Sequence, residues 1–203
     1  IVFVGCENEQ KPTQTTQKQE KKNVVVPAFN GDSAYYFVER QCDFGPRVPG
    51  TDAQKQCSEW LVETLNEYCD TVYVQDFRTR VFDGKVFDGK NIIAAFNPNA
   101  KKRIIIAAHW DSRPYADNDP DETNHKTPVT GANDGASGVA VMLELARLLS
   151  VETLNIGVEF ICFDAEDCGD HGDAVSWWLG SQYWSANPHK PDYKARYGIL
   201  LDM

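Results

Sequence analysis

Ile104-Ile-Ile-Ala-Ala-His109-Trp-Asp111 decides the fold. Five apolar residues without a polar break form a strand buried on both faces, as in a sheet covered by helices on either side. The run then stops at a histidine and an aspartate. The same construction recurs in Phe160-Ile-Cys-Phe-Asp-Ala-Glu166-Asp167 and in Ile199-Leu-Leu-Asp202. Between the first two, Val139, Leu143, Ala146 and Leu149 line one face of a helix predicted over Asp134–Leu149. Strand and helix therefore alternate in the second half. The expected class is α/β, a three-layer α/β/α arrangement with a mostly parallel mixed sheet whose ligands gather at the carboxyl ends of its strands.

Working outward, helical spacing predicts helices over Asp32–Cys42 and Asp52–Tyr68, separated by Gly45-Pro-Arg47-Val-Pro-Gly50, which cannot be helical. Strand patterns follow at Thr71–Phe82, Asn91–Asn97 and Arg103–His109. The repeat Val81-Phe-Asp-Gly-Lys85, Val86-Phe-Asp-Gly-Lys90 carries two Asp-Gly turn signals and reads as a hairpin tip. A polar loop spans Ser112–Asn133. Then come a strand over Ile156–Phe163, a loop over Asp164–Asp173, a short helix near Gly180–Trp184 and a terminal strand over Gly198–Asp202.

The chain has 203 residues and is 42% hydrophobic, enough for one domain with a substantial core. Thirty acidic residues against 20 basic ones give a net charge of -10, which argues against a nucleic-acid partner. Ile1-Val-Phe-Val-Gly-Cys6 resembles the end of a bacterial lipoprotein signal segment, with Cys6 as the lipidated residue. Residues 7–27 read as a polar tether and residues 28–203 as the folded domain. No other segment approaches the roughly 20 apolar residues of a membrane span. The expectation is a monomer outside the cytoplasm, periplasmic or at the cell surface, touching a membrane only through that anchor. Six cysteines without C-x-x-C pairing suggest neither a disulfide scaffold nor a structural zinc site. The chain ends in the apolar run Gly198–Met203, read as an unfinished strand, so that any ligand supplied further downstream is not seen in it.

Three strands ending in ionisable residues on one rim crowd carboxylates together, and a divalent cation is the simplest compensation. Imidazole and carboxylate donors without thiolates suit a catalytic zinc. His109, Asp134, Glu166, Asp167 and Asp202 are the candidates. Asp134 also stands where a plain helix cap would. His125, His171 and His189 lie in loops and are expected at the surface. Trp110, Trp178 and Trp184, with Trp177, fall beside these motifs and would line an apolar pocket or pack in the core.

The set His109-Trp-Asp111, Gly131-Ala-Asn-Asp134-Gly, Asp164-Ala-Glu166-Asp167 and Leu201-Asp202 resembles the pattern of the M28 metallopeptidase family, which joins di-zinc aminopeptidases with glutaminyl cyclases on one α/β/α fold. The resemblance implies that His109 and Asp202 hold a first metal, Asp134 bridges, Asp167 holds a second, Glu166 is the base, and Asp111 orients His109. Phe44-Gly-Pro-Arg47-Val-Pro-Gly50, Asp111-Ser-Arg-Pro-Tyr-Ala-Asp-Asn-Asp-Pro120 and Trp178-Leu-Gly-Ser-Gln-Tyr-Trp184 resemble the cyclase branch, specifically its bacterial lipoprotein-like members. That branch implies one zinc on Asp134, Asp167 and a downstream histidine, with His109 a ligand only if a second metal is bound. Glu166 would be the general acid and base, and Asp202 part of its proton network. The substrates implied are peptides or proteins with N-terminal glutamine, closed to pyroglutamate with loss of ammonia. Position 167 is often Glu in the family, so Asp167 shortens that ligand by one methylene. A di-zinc aminopeptidase is the main alternative, and a non-catalytic lipoprotein binding a ligand or cation is a third. Glu166, a base beside a ligand, argues against the third.

Overall fold

Local signals account for where the first elements start. In the computed structural model, which describes residues 25–203, Asn30 accepts from the backbone amides of Asp32 and Ser33 and opens α1 (Gly31–Asp43). Thr51 accepts from the Gln54 amide and opens α2 (Asp52–Tyr68), whose buried stripe is Gln54, Cys57, Ser58, Leu61, Thr64 and Leu65. The lipid-anchor reading of Cys6 and most of the tether lie outside the described residues. Among the described residues no helix is long and apolar enough to cross a membrane, and Cys42, Cys57, Cys69, Cys162 and Cys168 are all unpaired.

The remaining elements are β1 (Thr71–Arg80), β2 (Val86–Phe96), β3 (Arg103–His109), α3 (Ala136–Leu149), β4 (Gly157–Phe163), α4 (Leu179–Ala186) and β5 (Gly198–Leu200). The sheet order is β1-β2-β4-β3-β5. β1 pairs antiparallel with β2, and β2 with β4, while β4, β3 and β5 run parallel. The sheet is thus mixed, and its parallel half carries the three ionisable strand ends. Register brings them level. His109 lies opposite Phe163, Ala107 opposite Leu200, and the Leu201 amide donates to the Ala107 carbonyl at 2.7 Å.

Helices cover both faces. On one, α1, α2 and α3 enclose the main core, in which Leu61, Leu65, Leu143 and Phe160 are fully buried; each such side chain contributes about 1.5–3 kcal/mol through burial. On the other, Tyr73, Phe163 and Trp184 pack over Ile93, Ala107 and Ile161.

Only one of the two Asp-Gly signals makes the hairpin turn. The β1–β2 connection is closed at Val81–Lys85 around Asp83-Gly84, whereas Asp88-Gly89 lies inside β2. Gly89 pairs with Phe77, and a Cβ at Gly89 would come within 2.4 Å of the Phe77 ring. Its glycine serves close packing of an aromatic ring and not a turn. α3 likewise begins two residues after Asp134, with Gly135 at its cap position and no side-chain cap.

Candidate metal centre

β3 delivers His109 to the rim, almost fully buried. Its Nδ1 lies 3.3 Å from Asp111 Oδ1, and its Nε2 lies 2.7 Å from Asp134 Oδ1 and 3.8 Å from Asp202 Oδ1. Asp111, fully buried, also accepts from the amides of Glu166 (3.0 Å) and Asp167 (3.1 Å). One carboxylate therefore ties the histidine to the segment that carries the next two acids. The turn after β4 is sharp. Ala165 (φ 56°) and Trp178 (φ 55°) adopt the left-handed region, which costs about 1–2 kcal/mol per non-glycine residue. The amides of Trp178, Leu179 and Gly180 donate to the carbonyls of Glu166, Ala165 and Asp164, docking the start of α4 against this turn.

Between these elements lies a hollow of about 160 Å³ bounded by His109, Phe163, Glu166, Trp178, Leu200 and Asp202. The side chains of the ionisable rim are graded in exposure: Asp134, outside the hollow, 47%, and within its lining Asp202 37%, Glu166 17% and His109 3%.

The electrostatics are those of surplus negative charge. Burial opposes the charged form of His109, but hydrogen bonds to Asp111 and Asp134 outweigh it and push the imidazole up to about 11. Burial raises Glu166 to about 8, with His109 pulling down and Asp167 and Asp111 pushing up. Asp167 rises to about 6 through burial and the charges of Asp111 and Asp134. Asp164, sealed beneath, is held well above the ordinary carboxylate range by burial and by Asp111.

Among the described residues, two groupings offer a cation one ligand atom per residue, all within 4.8 Å of one another: His109, Asp134 and Asp202, and His109, Glu166 and Asp167. Both consist of imidazole nitrogen and carboxylate oxygen, the donor chemistry of catalytic zinc, so the residues fit the ion. Asp134 and Asp167 share no grouping of three. His109 links the two, and the charge of Asp134 is felt at Asp167.

Several residues stand elsewhere than expected. Trp110 does not line the hollow; its indole is fully buried in the main core and donates from Nε1 to the Lys90 carbonyl. Trp184 packs behind Phe163 at 6.0 Å between ring centroids and against His189 and Tyr193, away from the opening. Trp177 carries the Arg113 guanidinium 4.8 Å above its ring. Of the four tryptophans, Trp178 borders the hollow, half exposed. His189 is no surface residue. Its side chain is 3% exposed, because Glu159, Trp184 and Tyr193 enclose it.

Sequence reasoning gave no role to Arg47, Gln54 or Arg113. Arg113 donates to the Asp167 and Gly169 carbonyls and is clamped by Asp117. Gln54 donates to Asp164 Oδ2 at 2.7 Å. The signals in the sequence are the two loop motifs that hold Arg47 and Arg113, which carry the family resemblance without naming the distant carbonyls these side chains bind.

Residues 91–203, more than half of the chain, match the peptidase family M28. The chain belongs to that family. Among solved structures, Porphyromonas gingivalis glutaminyl cyclase is 47% identical with a TM-score of 0.86, covering 88% of this M28 chain and 62% of that one. A leucine aminopeptidase precursor from Bacteroides thetaiotaomicron is 49% identical with a TM-score of 0.86, covering 89% and 64%. Glutaminyl-peptide cyclotransferase of Gloydius blomhoffii is 32% identical over 191 residues, 87% of this chain and 46% of its own length. The chain spans less than half the length of such curated relatives and less than two thirds of the solved ones.

Proposed function

We propose that the protein is a zinc-dependent glutaminyl-peptide cyclotransferase that closes the N-terminal glutamine of peptides to pyroglutamate. The observation that carries this reading is Glu166. It is a carboxyl at the edge of the hollow, raised to about 8 beside His109 and Asp167, and so able to both take and return a proton near neutral pH. Relatives named as glutaminyl cyclases at 47–48% identity support it.

Asp134 and Asp167 would hold the zinc, with His109 and Asp202 engaged where a second ion is bound. When bound, zinc supplies a Lewis acid for the γ-carbonyl of the substrate glutamine. The chain's own residues do the rest. Nucleophile and electrophile belong to one residue, so the site has to hold the glutamine folded back on itself. Trp178 offers the exposed apolar edge for its methylene stem. Glu166 accepts a proton from the α-amine as the new N–C bond forms and returns it to the side-chain nitrogen, which leaves as ammonia. Asp111 fixes the His109 ring and the amides of Glu166 and Asp167, and Asp202 closes the proton network around His109 Nε2. In the cell we place the protein outside the cytoplasm, as a monomer tethered through Cys6.

One observation favours a second reading. Among the described residues, two donor groupings meet at His109, a donor set large enough to take a second cation with Asp134 between them, and a solved relative is named a leucine aminopeptidase precursor. Incubation with Gln-peptides and with aminoacyl-anilides separates the two. The cyclase releases ammonia and a pyroglutamyl peptide; free amino acids without pyroglutamate would overturn it.

A further inference from the structure

The loop Phe44–Gly50 contains a fully buried arginine whose guanidinium binds main-chain carbonyls and no carboxylate. Arg47 Nε donates to the Trp110 carbonyl at 2.9 Å, Nη1 to Thr130 at 2.8 Å and Nη2 to Gly131 at 2.6 Å. Trp110 lies between His109 and Asp111 at the end of β3. Thr130 and Gly131 open the turn that presents Asp134. One planar group thus joins the two segments whose side chains meet as His109 Nε2 and Asp134 Oδ1. The loop is itself fixed from both sides. Its Arg47 carbonyl accepts from the Ser112 amide at 3.3 Å, and the Gly50 amide donates to Gln54, which in turn holds Asp164 two residues before Glu166.

A buried cation without a counter-ion is costly, and three well-directed carbonyl bonds are needed to offset it. Lysine has the charge but not the fork, since its ammonium is a single point that cannot reach three carbonyls on two segments in one plane. The turn leaves no slack on its side. Gly131 has φ +66°, and a Cβ there would come within 2.5 Å of the Asp134 carbonyl and 2.9 Å of Arg47 Nη2.

We propose that Arg47 is a positioning residue for the metal centre: its guanidinium fork sets the Asp134 turn against the His109 strand end and thereby governs zinc affinity. The proposal rests on the zinc reading above, and its test has one arm that does not. The full chain and its Arg47→Lys and Gly131→Ala variants are compared by zinc titration against a chromogenic chelator, and, zinc-free, by amide hydrogen exchange over residues 128–135. Arg47→Lys weakens zinc binding about 10- to 100-fold, the range for groups that orient ligands, and speeds exchange in that turn before zinc is added. Glu159→Gln, which breaks an ion-pair cluster with Arg103 and Lys190 near the amino ends of β3 and β4, alters zinc affinity less than about twofold and so separates positioning from general destabilisation. Should Arg47→Lys not fold, Gly131→Ala disturbs the same contact from the other side and carries the same expectation. Wild-type zinc affinity in Arg47→Lys would overturn the proposal by showing that charge suffices, and so would unchanged affinity in a folded Gly131→Ala. Absence of zinc binding by the wild type would overturn the metal reading. The exchange arm then still judges the fork, with unchanged exchange in Arg47→Lys counting against it.

Discussion

His109 and His189 are both buried beside carboxylates, at opposite ends of the same parallel strands, yet their proton affinities move in opposite directions. His109 stands at the carboxyl end of β3 among Asp111, Asp134, Glu166 and Asp202, and is pushed up to about 11. His189 lies near the amino ends of β3 and β4, where Glu159 already binds Arg103 and Lys190, and burial lowers its pKa. The Trp184 indole donates to His189 Nδ1 at 3.2 Å, which suits the neutral ring. One cluster balances its single carboxylate with two cations. The other gathers four carboxylates around one imidazole and remains short of positive charge, which is the condition a metal ion relieves.

The comparison breaks most sharply at Glu166. Glu166→Gln keeps the shape of the rim but removes the proton carrier, so turnover of Gln-peptides falls about 10²- to 10⁴-fold while zinc stays bound; steady-state rates with zinc analysis of the same sample check both halves. At the other cluster, Glu159→Gln leaves Arg103 and Lys190 without their shared carboxylate. Removing one partner of a buried pair costs about 3–5 kcal/mol, read by denaturant unfolding, with zinc affinity unchanged. A reversed pattern, with stability lost at Glu166 and zinc lost at Glu159, would dissolve the distinction.

A smaller effect follows from pH. Glu166 and Asp167 are raised above their ordinary values, so the zinc-free fold is favoured while they are protonated and loses that advantage as pH rises through about 6 and then about 8. His109, raised from 6.5 to about 11, has the same sign over its higher window. The melting temperature of the zinc-free protein should therefore decline from mildly acid to alkaline pH, and zinc should flatten the decline by replacing the missing charge. A zinc-free protein that grew more stable across that window would contradict these assignments.

The strand ends were legible because an apolar run that stops at His109, Glu166 or Asp202 is a local pattern, and parallel pairing then brings such ends to one rim. What escaped was decided by distant partners. Arg47 stood out in its loop, but the carbonyls it binds lie 63 to 84 residues away. His189 resembled a loop histidine until β4 supplied Glu159. Gly89 looked like half of a second turn, and only its pairing with Phe77 reveals a packing glycine. Trp110 and Trp178 both adjoin motifs, yet strand alternation points one into the core and the sharp turn at Ala165 leaves the other at the opening.

Zinc titration followed by thermal unfolding tests the difference between the two clusters directly. Zinc at about 100 times its dissociation constant adds about 2.7 kcal/mol, a rise of about 5–10 °C for a domain of this size. The account predicts that rise in the wild type and in Glu159→Gln, and its loss in Asp134→Asn and Asp167→Asn. No rise in the wild type, or a rise that survives both aspartate substitutions, would contradict it.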